Sequence, residues 1–279
     1  MSIIIIVYIN FVDELPIPII TRFQLPGKSI ESMEKMKSSN EEIRKRFDKE
    51  VERFSNLETG QTAVMDSPLA MDLVTRAAAA VTPNAFDVLD VGCGAGNYTL
   101  KLLEILPRLN CTLLDLSKPM LDRAVQRVQT RNAGVIRPLQ VDIRDADLGE
   151  HSFDIIMTAV SLHHLRTDAE WRACFVKLFR ALRPDGSLWI FDMIAHDHEP
   201  IQQLMRNRWG QYLQSQKSDP KEGVAYRDEV FAYVEKEDSP RPLLWQIDLM
   251  RQVGFVDIEV LHKNSLFAAF GGRRRGSKT

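Results

Sequence analysis

The sequence predicts an α/β fold: a doubly wound, mostly parallel seven-stranded sheet with a C-terminal antiparallel hairpin, N-terminal helices and a helical lid insertion. Three observations predict it. Residues 86–117 read as strand, glycine loop, helix, strand, because the apolar run FDVLDV breaks into GCGAGNYTL and the chain then arrives at CTLLDLS. Further apolar strands alternate with amphipathic helices up to residue 194, as in successive right-handed crossovers. The chain then closes on two alternating strands, 255–262 and 265–271.

The 279 residues, 44% of them hydrophobic, can bury one large core, and one domain over 38–279 is expected. A formal net charge of −2 leaves no overall electrostatic footprint for nucleic acid, and Arg273, Arg274 and Arg275 read as a short solvated basic tail. Cys93, Cys111 and Cys174 are odd in number and widely spaced, which argues against disulfides and a zinc site and fits a reducing cytoplasm. The opening MSIIIIVYINFV lacks the basic flank and cleavage site of a signal peptide and is too short to span a bilayer, so no membrane segment is expected. Residues 1–32 lack helical periodicity and contain three prolines. Residues 1–37 are therefore read as an extension outside the core, with Met33 or Met36 as candidate starts.

In the central unit, the first strand is β-branched and uninterrupted, as for a parallel strand covered on both faces. Gly92, Gly94 and Gly96 follow at alternate positions, where the missing Cβ atoms allow a tight turn and a close ligand approach. Nineteen residues past Gly96, Asp115 closes the second strand, where a carboxylate can accept hydrogen bonds from ribose hydroxyls. An adenosine-containing ligand is implied. Dinucleotide sites favour GxGxxG, whereas Asp90 to Gly96 spell DxGxGxG. This resembles the first motif of the class I S-adenosylmethionine (SAM) dependent methyltransferases. The resemblance implies that Asp90, Gly92, Gly94 and Gly96 hold the methionine end of S-adenosyl-L-methionine, and that Asp115, with Leu116 beside it, holds the ribose.

Ser38 or Ser39 caps a helix expected to run to Phe54, with Ile43, Phe47, Val51 and Phe54 on one face. That stripe is either ordinary core or, as the resemblance implies, a cover over the cofactor with Phe54 near it. Asp66 or Ser67, with Pro68 in the first turn, starts a scaffold helix stopped by Pro83. Ser117 and Pro119 open another, ending at Gly134. Residues 135–143 form a third strand, placed at an edge by Pro138. Asp142 ends it, and the resemblance implies that Asp142 takes the adenine amino group while Ile143 packs on the ring. The alternative is an Asp that caps the IRDADL turn.

Residues 153–160 form a fourth strand running into Ser161-Leu162-His163-His164-Leu165. Ligands bind at the ends of central parallel strands, which places Thr158, Ala159 and the histidines near the pocket. Either His163 or His164 can act as general base, or both shape the pocket. Thr167 to Glu170 is a capping box for a helix stopped by RPDG, and SLWIFDMI is the fifth strand. In the insertion at about 196–242, a helix bearing Trp209 and Tyr212 precedes a polar stretch and a short helix around Val230. It is read as a lid that sets the acceptor pocket or as a packing subdomain. A helix at 243–253 and Gly254 lead to the last two strands, joined around Lys263 and Asn264.

The expected activity is transfer of the SAM methyl group to an acceptor, with a small molecule favoured because the insertion can enclose one. No metal is expected, since no clear set of carboxylates lies near the fourth strand. RNA is the alternative acceptor. Other readings are a SAM-binding protein without turnover, a cofactor-modifying enzyme similar to carboxy-SAM synthase, and a nicotinamide-dependent oxidoreductase. A homodimer stays open.

Overall fold

The strands and helices of the structure, a computed structural model, follow the alternation in the sequence. It describes residues 37–56, 61–131 and 133–276. The expected extension at 1–37 therefore lies, except for Lys37, outside the described residues.

Helix α1 (Asn40–Phe47) begins at Ser39, whose hydroxyl accepts the Glu42 amide while the Glu42 carboxylate returns to the Ser39 N–H. The expected single helix to Phe54 is two. Glu50 breaks it before α2 (Val51–Ser55), and Asp48 turns its carboxylate to the Ser117 hydroxyl at 2.6 Å instead of continuing the helix. Helix α3 (Ser67–Val81) carries Pro68 in its first turn and buries Ala70, Val74 and Ala78. Strand β1 (Asp87–Val91) is buried throughout and leads through the glycine loop into α4 (Asn97–Leu103). Then come β2 (Asn110–Asp115), α5 (Lys118–Gln129) and β3 (Ile136–Gln140). Pro138 in β3 is tolerated because that strand is the sheet edge, with β2 on one side only.

Strand β4 (Phe153–Ala159) precedes a 3₁₀ turn at Leu162–His164 and α6 (Asp168–Ala181), which starts on the Thr167–Glu170 capping box. Strand β5 (Leu182–Met193) begins directly at the helix end. Arg183 to Gly186, expected as a stop between helix and strand, are absorbed as an irregularity in the β4–β5 pairing, with Asp185 at φ 65°. The insertion is a helical pair, α7 (Glu199–Ser215) and α8 (Pro220–Glu237). The second helix is longer than its apolar residues suggest, because the Asp219 carboxylate caps the Lys221 and Glu222 amides and Pro220 occupies the first turn. Helix α9 (Leu243–Val253) ends on Gly254 at φ 117°. Strands β6 (Phe255–Asn264) and β7 (Phe267–Arg274) turn at Ser265 and Leu266, two residues later than expected.

The sheet order is β3-β2-β1-β4-β5-β7-β6, parallel from β3 to β5, with β7 antiparallel to both of its neighbours. Apolar residues cover both faces, one packed with α3 to α5 and the insertion, the other with α6 and α9. Arg273 and Arg274 belong to β7 and are not a free tail. Arg273 pairs with Asp257, and Arg274 donates to the carbonyls of Phe179, Arg180 and Leu182. All three cysteines are buried free thiols. No helix among the described residues is long and apolar enough to cross a membrane.

Candidate functional site

A large chamber opens at the C-terminal ends of β1, β2 and β4, where a parallel sheet of this order reverses direction about β1. Its empty space, mouth included, is about 1600 Å³. Helices α1 and α2 roof one half: the Phe47 and Phe54 rings lie tilted against each other at 5.8 Å, Phe47 meets His164 edge-on at 5.9 Å, and the Phe54 carbonyl accepts the Asn97 amide at 3.0 Å. The insertion supplies Trp209, Tyr233 and Val234 to the other half, with Met193 and Phe267 from the strands.

The glycine loop is braced before any ligand arrives. Gly92, Gly94 and Gly96 all have positive φ, at 66°, 49° and 81°. Gly94 donates its N–H to Asp115 Oδ2 at 2.8 Å, Ser117 donates to Asp115 Oδ1 at 2.8 Å, and Arg127 holds Asn97 Oδ1 at 2.7 Å. Burial pushes the Asp115 carboxyl up to about 6, against the pull of those amides. Asp90 is also raised to about 6 by burial, with Thr99 Oγ1 donating to it at 2.6 Å. Asp142, just past β3, also lines the chamber. Burial opposes its ionisation, but the Arg144 guanidinium, at 2.6 and 2.9 Å, holds it below the usual carboxylate range. Its oxygen also accepts the Arg144 amide at 2.9 Å, so turn capping and chamber lining coincide in this residue.

Of the sequence candidates, Asp90, Gly92, Gly94, Asp115, Leu116, Asp142, Ile143, Phe54, His163 and His164 converge on the chamber wall. Gly96 and Thr158 do not. A Cβ at Gly96 would meet Ala124 Cβ at 3.2 Å, so that glycine serves helix packing. Thr158 is fully buried, paired between Val91 and Ile190, and the strand reaches the chamber only at Ala159.

The structure adds partners that short-range spacing does not reveal. His163 Nδ1 lies 2.5 Å from Asp192 Oδ1 on β5, and its Nε2 lies 3.6 Å from Asp238 Oδ1 at the end of α8. Burial alone would lower the His163 pKa, but Asp238 and Asp192 outweigh it and push it up to about 9. One trace of Asp192 was present in the sequence, as the single acid in the apolar run of β5. Asp238 left none, since it follows a polar helix end. Tyr98 also lines this chamber, its hydroxyl buried and without a hydrogen-bond partner among the described residues.

The sheet order, the glycine loop at the β1 switch point and the Asp115 carboxylate define a Rossmann-like nucleotide fold of the seven-stranded kind. Residues 88–186 match the family model described as a methyltransferase domain. The chain carries a class I SAM-dependent methyltransferase domain, and SAM is the cofactor of that class.

The chain is 35% identical over 103 residues to a malonyl-[acyl-carrier protein] O-methyltransferase of Paenibacillus, covering 36% of each chain. It is 24% identical over 128 residues to a carboxy-S-adenosyl-L-methionine synthase of Shewanella loihica, covering 45% of this chain and 51% of that one. The match thus spans about a third to a half of these relatives. In fold, it is similar to the Burkholderia thailandensis 1,6-didemethyltoxoflavin-N1-methyltransferase, solved with its substrate and S-adenosylhomocysteine. The TM-score is 0.56 with 18% identity, covering 90% of this chain and 93% of that one.

The chamber fits the cofactor. An ideal Cβ on Gly94 would meet nothing within 4 Å, so the loop lines open space where a ligand can lie against bare backbone. Asp115 at the end of β2 keeps acceptor capacity beyond its two amides.

Proposed function

We propose that the chain transfers the methyl group of SAM to a small-molecule acceptor held between the glycine loop and the α7–α8 lid. The observation that carries this is the junction of two unlike halves in one chamber: Asp90, Asp115 and bare backbone on one side, Trp209, Tyr233, Met193 and Phe267 on the other. The first half suits a charged nucleoside, and the second a compact apolar body.

The cofactor supplies an electrophilic methyl on a sulfonium. In this reading, Asp115 accepts the ribose hydroxyls, Asp142 and Ile143 meet the adenine, and the loop amides hold the methionine end. The lid excludes water and fixes the acceptor behind the methyl. His163, its Nδ1 fixed by Asp192, orients the pocket wall, and the acceptor's polar atom lies beside His164. The test is a screen of metabolites with methyl-labelled SAM, alongside calorimetric titration with SAM and with NAD. Heat with NAD and none with SAM would overturn the reading.

A second reading, a cofactor-modifying enzyme, is favoured by the likeness to the carboxy-SAM synthase. Mass spectrometry of the copurifying ligand separates the two. An RNA acceptor would show as salt-dependent retention on heparin.

A further inference from the structure

The histidine end of the chamber has more donor capacity than its hydrogen bonds use. Asp192 fixes the His163 ring through Nδ1 at 2.5 Å, and Nε2 lies 3.6 Å from Asp238 Oδ1. His164 Nδ1 comes within 3.2 Å of the same oxygen. That approach lacks hydrogen-bond geometry, so both ring nitrogens of His164 and Oδ1 of Asp238 are buried without a hydrogen-bond partner among the described residues. The Asp238 side chain is 3% exposed. One ligand atom from each of the three residues lies within 4.8 Å of the others.

Ion pairs from the two histidines to Asp238 still leave the His164 nitrogens and Asp238 Oδ1 without a hydrogen bond. A cation accounts for all three. Bonds of about 2.0–2.2 Å at tetrahedral angles would separate ligand atoms by about 3.3 Å, against the observed 3.6 and 3.2 Å. Asp192 behind His163 is the outer carboxylate that metal-bound imidazoles ordinarily have. Two imidazoles and one carboxylate suit zinc or iron(II) and are too rich in nitrogen for magnesium.

We infer that His163, His164 and Asp238 bind one divalent transition-metal cation with a coordination position open to the chamber. This departs from the expectation of no metal, which considered carboxylates near β4 and not a carboxylate arriving from the lid. The use of the site rests on the proposed methyl transfer. The open position takes the acceptor's oxygen or nitrogen, and the cation lowers the pKa of its O–H or N–H, whose proton passes to water. The freed electron pair then bonds to the sulfonium methyl as the carbon–sulfur bond breaks, leaving a neutral thioether. Because Asp238 is the C-cap of α8, the same cation ties the lid to the end of β4.

The test uses the full chain stripped with a chelator and titrated with cobalt(II), then zinc(II). One equivalent of cobalt should give the intense visible absorption of a four-coordinate site, and zinc should displace it. His164→Gln and Asp238→Asn should each weaken binding at least tenfold. Asp192→Asn should weaken it about 10–100-fold, as outer-shell losses do. His262→Gln on β6, whose ring pairs with Asp66, should bind cobalt like the parent. Melting curves identify any variant that does not fold, and the other ligand variant then decides. No saturable cobalt binding, or binding unchanged in the ligand variants, overturns the site. SAM is titrated in parallel into the stripped protein. Its binding there keeps the methyltransferase reading intact whatever cobalt does, and its failure would sink that reading separately.

Discussion

Asp115 and Gly94 are joined across the mouth of the site: the carboxylate that ends β2 receives the amide of the loop that follows β1 at 2.8 Å. One side chain thus holds the loop's shape, lines the chamber and, in the proposed function, receives the ribose. Asp115→Ala should leave the Gly94 and Ser117 amides unsatisfied at about 1–3 kcal/mol each and weaken SAM binding at least tenfold by calorimetry. Unchanged affinity would remove Asp115 from the site.

Acidity should oppose cofactor binding. Asp115 and Asp90 have folded pKa values raised to about 6 by burial. Their neutral forms favour the empty fold, so this contribution to stability is present at low pH and is lost as the pH rises through about 6. Accepting ribose hydroxyls requires the ionised Asp115. The rise in melting temperature with SAM should therefore grow between about pH 5 and pH 7. A shift that is flat across that range would contradict the assignment.

Two loop glycines should fail differently. A Cβ on Gly92 would lie 2.3 Å from Ser161 Oγ, whereas one on Gly94 meets nothing. Gly92→Ala should lose about 1–3 kcal/mol of stability through overpacking on top of the left-handed cost of about 1–2 kcal/mol, as well as the cofactor. Gly94→Ala should melt within about 1–2 kcal/mol of the parent, the left-handed cost alone, yet bind SAM poorly. Equal melting of the two variants would count against this division.

The far end of the sheet should affect stability alone. Arg183 bridges Asp87 and Asp154 at 2.8 Å each, and Asp154 also accepts the Phe86 and Asp87 amides. Arg183→Ala should lower the melting temperature by a few degrees, at about 1–2 kcal/mol, with SAM affinity unchanged.

The lid is tied down by Arg46 of α1, which reaches the buried Glu237 of α8 at 2.5 and 3.0 Å. Glu237→Gln should raise the acceptor KM several-fold more than the SAM KM. An equal rise in both would indicate general loosening.

These relationships differ in how far the sequence disclosed them. The glycine loop, Asp115, the two capping boxes and the edge position of Pro138 each depend on residues a few positions apart, or on local backbone chemistry, and spacing alone is enough to find them. The break between α1 and α2 depends on Asp48 meeting Ser117, 69 residues away. His163 meets Asp192 and Asp238 from 29 and 75 positions away, and the latter belongs to a lid whose docking no periodicity encodes. Asp142 was visible as a strand-end acid, but its capture by Arg144 was not. The strand start at Leu182 is hidden from spacing because Asp185 takes a left-handed backbone within a paired strand.

Strand β7 follows every other strand in the sequence yet sits between β5 and β6. On a ribosome, the parallel half can assemble early, while the Met193 edge of β5 stays open until Phe267 to Arg274 have emerged. During that interval nascent chains present an uncovered strand edge, open to pairing with other chains.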